Sequence, residues 1–140
     1  MTRTVLRWER TLRERGGVAS AADLHALGLG DIDIRLYASY GTLRRVRRGW
    51  YILPDTDETV AEACRWGGRL TCLSALALYG DDVEDDGRLH IELRRSDVLR
   101  VPAELRDRVR VHWTRRPSAG GRALVSRAAA RRQALACRPW

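Results

Sequence analysis

Apolar positions at the start of the chain recur at helical spacing. Val5, Trp8 and Leu12 fall at i, i+3 and i+7, with Arg7, Glu9, Arg10, Arg13 and Glu14 opposite. This spacing predicts an amphipathic helix over 5–15, ended by Gly16 and Gly17. A new element starts at Val18. Ser20 is a good N-cap, Asp23 three residues on makes an acidic capping box, and Leu24 and Leu27 supply the apolar side of a short second helix before Gly28. Gly28-Leu29-Gly30 has the length and glycine content of the connection inside a helix-turn-helix, and it leads to a third helix over 31–40. Asp31 and Asp33 suit the positive N-terminal end of that helix. With Ile34, Tyr37 and Ala38 turned to the core, Asp31, Ile32, Arg35, Leu36 and Ser39 face outward.

After Gly41 the pattern changes. Leu43-Arg44-Arg45-Val46 and Trp50-Tyr51-Ile52-Leu53 are β-prone runs on either side of Arg47-Arg48-Gly49, which predicts a hairpin over 43–53. Three helices and a hairpin within about 50 residues is the winged-helix plan. Asp55 to Glu58 read as a polar linker, Thr59–Trp66 and Ser74–Tyr79 as helices, and Asp81 to Gly87 as an acidic loop. Leu89–Leu93 and Val109–Trp113 alternate as strands. The stretch 94–108 reads as irregular with a helical turn near 103–106, Ser118–Gly121 as a linker, and Arg122–Cys137 as a helix. The expected fold class is α+β: a winged helix-turn-helix over 1–55, then a small α+β domain with a short sheet over 56–140.

Charge adds a direction to this plan. The 140 residues carry a net +8, distributed unevenly. Residues 1–55 hold ten arginines against six acids, 56–90 three against eight, and 91–140 thirteen against four. Basic, acidic and basic thirds favour a nucleic-acid partner through counterion release. All 26 basic residues are arginine, which excludes Walker-A phosphate binding and Schiff-base chemistry by this chain. No apolar run approaches the roughly 20 residues that span a bilayer, and Trp8 to Thr11 interrupt any export signal behind Arg3 and Arg7. A soluble, cytoplasmic protein with no membrane association is expected. Cys64, Cys72 and Cys137 contain no C-x-x-C pair and make no zinc spacing with His25, His90 and His112. Neither a metal nor a cofactor is expected.

The candidate nucleic-acid contacts follow from the plan. Arg44, Arg45, Arg47 and Arg48 lie within five positions of the hairpin and suit phosphate oxygens, which guanidinium groups grip bidentately. On the third helix only Arg35 and Ser39 are good groove readers. Base readout there is weak, or Ile32 and Leu36 mark a protein contact, or the helix sits in another register. The acidic run, with Glu92 and Arg94, imitates a nuclease pattern only loosely, and His90 and His112 read as strand histidines with no nucleophile motif beside them. No catalytic residue is assigned, and the chain is not expected to be an enzyme.

The order of several segments carries a resemblance. Gly17-Val18-Ala19-Ser20, the run Leu43 to Tyr51, Gly68-Arg69-Leu70-Thr71-Cys72-Leu73-Ser74-Ala75-Leu76, Leu89-His90-Ile91 and Val111-His112-Trp113 together resemble the AbiEi family of type IV toxin-antitoxin antitoxins, over nearly the whole chain. The resemblance implies a repressor that binds inverted repeats in the double-stranded DNA of its own operator through a winged helix. It also implies a C-terminal part that counteracts a nucleotidyltransferase-like toxin. The family's wing arginines carry over to Arg44, Arg45, Arg47 and Arg48, and its third-helix readers to Arg35 and Ser39. The family's helix is commonly arginine-rich and its C-terminal helix runs on beyond Trp140, which implies a reduced version here. Two alternatives remain open. One is an interaction or immunity-related module that docks a protein, and the other is the targeting part of a nuclease whose catalytic domain is absent.

Overall fold

The computed structural model of the chain describes residues 6–137, a mixed α+β arrangement with two three-stranded sheets. Helix α1 spans Arg7–Glu14, and Trp8 and Leu12 are buried as its spacing predicts; Val5 lies outside the described residues. Strand β1 (Val18–Ser20) follows, then α2 (Ala21–Ala26), α3 (Asp31–Tyr40), β2 (Arg44–Arg47) and β3 (Trp50–Ile52). Ser20 caps α2 as expected: its hydroxyl accepts from the Asp23 amide at 3.1 Å and the Asp23 carboxylate accepts from the Ser20 amide at 3.0 Å. Gly41 ends α3 in the left-handed conformation, at φ 81°.

Strand β1 was not anticipated. It pairs antiparallel with β3, so that β3 is the central strand of the order β1-β3-β2. Its pattern hides it, because Val18 and Ala19 are both buried and give no alternation. The sheet is covered on both sides. Ala19 and Leu53 pack with Trp8, Leu12, Leu24, Leu29, Ile34 and Leu43, while Val18 and Ile52 join the apolar core that continues into the second half of the chain. Within the first cluster the Trp8 and Tyr37 rings meet at 4.9 Å between centroids, which ties α1 to α3.

The second half begins with α4 (Glu58–Arg65), β4 (Arg69–Leu70), α5 (Cys72–Leu78) and β5 (Leu89–Arg94). A 3-10 helix (Ala103–Arg108), β6 (Val109–Thr114) and α6 (Arg127–Ala136) complete it. The two expected strands are present and pair in parallel, Leu89 with Val109 through Arg94 with Thr114. A parallel pair needs a crossover, and residues 95–108 provide it. The two-residue β4 was too short to leave a periodic signal; it pairs antiparallel with β5. Gly68, between α4 and β4, has a structural reason to be glycine. A Cβ there would stand 2.5 Å from the Glu92 carbonyl oxygen, so the β4–β5 approach admits no side chain. The final helix is shorter than expected, starting at Arg127 rather than Arg122. The residues before it form a tight turn, Gly120 bridging Val125, and Leu70 donates to the Ala123 carbonyl at 3.1 Å and accepts from the Val125 amide at 2.9 Å. Among the described residues no helix is long and apolar enough to cross a membrane.

A polar network lies inside this second half. Arg69 reaches Glu92 through Nε at 3.0 Å and Nη2 at 2.7 Å, and it also donates to the carbonyls of Gly121 and Ser118. The other Glu92 oxygen accepts from Ser118 and, at 3.1 Å, from Gln133 on α6. Burial pushes the Glu92 carboxyl up, and the donors around it more than reverse this, leaving it below its ordinary range.

Candidate functional site

The turn between β2 and β3 is built on Arg48 and Gly49, with Arg47 opposite Trp50 and Gly49 at φ 79°, a value that glycine reaches without strain. Arg44, Arg45 and Arg48 are exposed, and no described residue forms an ion pair with them. Arg47 departs from its expected role as a contact at the tip. It is half-buried, its Nε donates to the Cys64 carbonyl at 2.7 Å, and its guanidinium lies 4.8 Å from the centre of the Trp50 ring. A register shift between Arg45 and Arg47 interrupts the β2–β3 ladder where Arg47 turns inward. Arg47 therefore braces the hairpin against α4.

Two outcomes separate Arg47 from its neighbours. Replacing Arg47 by alanine should lower stability by about 1–3 kcal/mol, through the lost charged hydrogen bond and ring contact. The salt dependence of nucleic-acid binding should stay unchanged. Chemical denaturation and binding titrations on the same variant check both.

Helix α3 lies in the register read from the sequence. Ile34 is buried and Tyr37 and Ala38 are half-buried, while Asp31, Ile32, Arg35, Leu36 and Ser39 are exposed. Tyr40 extends the outer face, so that Ile32, Leu36 and Tyr40 form an apolar row at 72%, 48% and 79% exposure. Asp31 is engaged by His25 at 2.7 Å, and Asp33 accepts from the Gly30 amide at 2.8 Å.

A cleft of about 700 Å³ opens beside the hairpin, where Arg47 and Trp50 face Arg69, Arg94, Arg100 and Arg122. Arg122 also packs over the Trp50 ring at 5.5 Å and pairs with Asp23 at 3.0 Å. None of these second-half arginines was given a nucleic-acid role from the sequence, because they stand far from the hairpin along the chain. The net charge of the last third signalled Arg94, Arg100 and Arg122, while Arg69 stands in the acidic middle third.

The acidic run does not converge on one point. Asp81 is held by Arg127 and Arg131, Asp86 accepts from His90 Nε2 at 2.8 Å, and Glu92 belongs to the Arg69 network. The nuclease-like pattern is thus divided among three sets of partners.

The histidines are where the sequence reading falls furthest short. Cys72, His90, His112 and Cys137 each offer one ligand atom, and these atoms all lie within 4.8 Å of one another. Cys72 opens α5, His90 and His112 are on the parallel strands β5 and β6, and Cys137 is the C-cap of α6. The pairing of Glu92 with His112 in the β5–β6 register sets the two histidines on neighbouring strands. His90 Nδ1 lies 3.1 Å from His112 Nε2, and Cys137 Sγ lies 4.0 Å from each. Burial pushes the His112 imidazole down to about 4, with His90 and Arg110 adding to the effect, so this ring is uncharged at neutral pH. Burial pushes the Cys72 thiol up to about 12 and the Cys64 thiol to about 11. Cys64 stands apart from the cluster, under Arg47.

No family model matches the chain, and no curated protein matches it.

Proposed function

We propose that this chain is a non-enzymatic DNA-binding regulator of the AbiEi antitoxin type, with residues 6–53 acting as a winged helix-turn-helix. The observation that carries the reading is the exposed arginine set Arg44, Arg45 and Arg48 on the β2–β3 hairpin, with which no described residue forms an ion pair, beside an exposed face of α3. The element order α1-β1-α2-α3-β2-β3, with a three-stranded sheet closed by β1, supports the winged-helix assignment. The hairpin meets phosphates, which sets affinity and orientation. Arg35 and Ser39 are the α3 side chains suited to base edges. Arg94 and Arg100, exposed in the adjacent cleft, extend the positive surface beyond the hairpin. Within this reading the second half of the chain is the part that meets a toxin of the nucleotidyltransferase-like class.

A second reading has its own observation. The row Ile32, Leu36 and Tyr40 is apolar where a groove reader is usually polar or basic, and it favours α3 as a protein contact, with the hairpin alone on DNA.

Mobility shifts on the region upstream of the chain's own gene, against an unrelated duplex of equal length, test the proposal. The expected result is binding to both duplexes, tighter to the upstream region and weaker as salt rises. Arg35→Ala should lower the preference between the two by about 1–3 kcal/mol. An unchanged preference assigns α3 to the second reading. No binding to either duplex at low salt contradicts the proposal.

A further inference from the structure

We propose that Cys72, His90, His112 and Cys137 bind one zinc-class divalent cation in a closed tetrahedral site that fastens the end of α6 to strands β5 and β6. The donor set suits this ion. Two thiolates and two imidazoles form the borderline-soft Cys2His2 shell of structural zinc sites, and the two thiolate charges balance the cation. The spacing suits it too. Bonds of about 2.3 Å to sulfur and 2.0–2.1 Å to nitrogen place tetrahedral ligand atoms about 3.3–3.8 Å apart. The observed N···N separation of 3.1 Å and the Cys137 S···N separations of 4.0 Å lie close to that range, and with Cys72 all four atoms fall within 4.8 Å of one another, a spread that the ion draws in on binding.

Two further observations concern how the ligands are aimed. Asp86 accepts from His90 Nε2 at 2.8 Å, which leaves the Nδ1 lone pair to face the other three donors. A carboxylate behind a histidine in this way fixes the ring and raises its basicity toward a metal. Cys72 has φ 53°, and it is the one non-glycine with positive φ among the described residues. Left-handed backbone costs a side-chain-bearing residue of order 1–3 kcal/mol and persists where the surroundings impose it. Here it puts a fully buried thiol into the cluster. Four protein donors leave no open position for substrate water, so the site is structural. It joins elements up to 65 positions apart along the chain, from Cys72 to Cys137.

The test uses the full chain without an affinity tag, purified under reducing conditions. One equivalent of zinc per chain should survive gel filtration. Cobalt(II) added to the zinc-free protein should give tetrahedral ligand-field bands together with a thiolate charge-transfer band. Cys137→Ser should roughly halve the charge-transfer intensity, and Cys64→Ser should leave it unchanged. Asp86→Asn keeps all four ligands and is expected to weaken zinc binding about 10- to 100-fold while the circular dichroism spectrum is retained. It decides the matter if Cys137→Ser fails to fold. A cobalt spectrum without a charge-transfer band, less than a tenth of an equivalent of zinc, or a Cys72–Cys137 disulfide in the reduced preparation would each overturn the site.

Discussion

Arg69→Ala is expected to remove about 3–5 kcal/mol of stability, a large part of the 5–15 kcal/mol that holds a typical domain folded. The Arg69 side chain is 15% exposed and that of Glu92 only 3%, so deleting the guanidinium leaves a carboxylate buried with its main counter-charge gone. Ser118 and Gln133 still donate to Glu92, but neither carries charge. The same deletion frees the carbonyls of Ser118 and Gly121, which Arg69 holds against β4. Urea unfolding followed by circular dichroism measures the effect as a fall in midpoint. The double variant Arg69→Met with Glu92→Leu is expected to lose less than Arg69→Ala alone, because it removes both charges and keeps apolar volume. A loss below about 0.5 kcal/mol in the single variant, the size of an ordinary surface substitution, would show that the pair does not anchor the second sheet.

The parts of the fold that the sequence made legible are those with local chemistry. Ser20 with Asp23, the glycines at 28, 30 and 41, and the turn at Arg48-Gly49 each announce a boundary through their own backbone preferences. The outward face of α3 was legible because a period of 3.6 residues runs uninterrupted from Ile34 to Ala38. What was missed depends on partners distant in sequence. Strand β1 exists because β3 offers it an edge, and β4 because β5 does. The inward turn of Arg47 depends on a carbonyl 17 positions away and on a register shift that no composition signals. The thiol–imidazole cluster is the extreme case. His90 and His112 are 22 positions apart and Cys137 a further 25, so no spacing rule for metal motifs applies, and the parallel pairing of β5 and β6 creates the proximity.

The second large effect concerns the hairpin. Replacing Arg44, Arg45 and Arg48 together by alanine is expected to weaken binding to every duplex alike, because phosphate contacts carry no sequence information. The folded state should be little affected, since these side chains are exposed and lie outside both apolar clusters. Each phosphate contact contributes about 0.9 to the slope of log affinity against log salt, so three lost contacts should flatten that slope by up to about 2.7. Between 50 and 200 mM salt the unaltered chain should therefore lose roughly 40-fold more affinity than the variant. Replacing Arg47 instead should leave the slope where it was, as its guanidinium is held by Cys64 and Trp50.

That slope is the most direct test of the hairpin as the backbone contact. Fluorescence anisotropy on a labelled duplex across a salt series, for the unaltered chain and for the triple variant, measures it. The expected result is a steep negative slope for the unaltered chain and one flatter by two to three units for the variant. Equal slopes in the two proteins would contradict it.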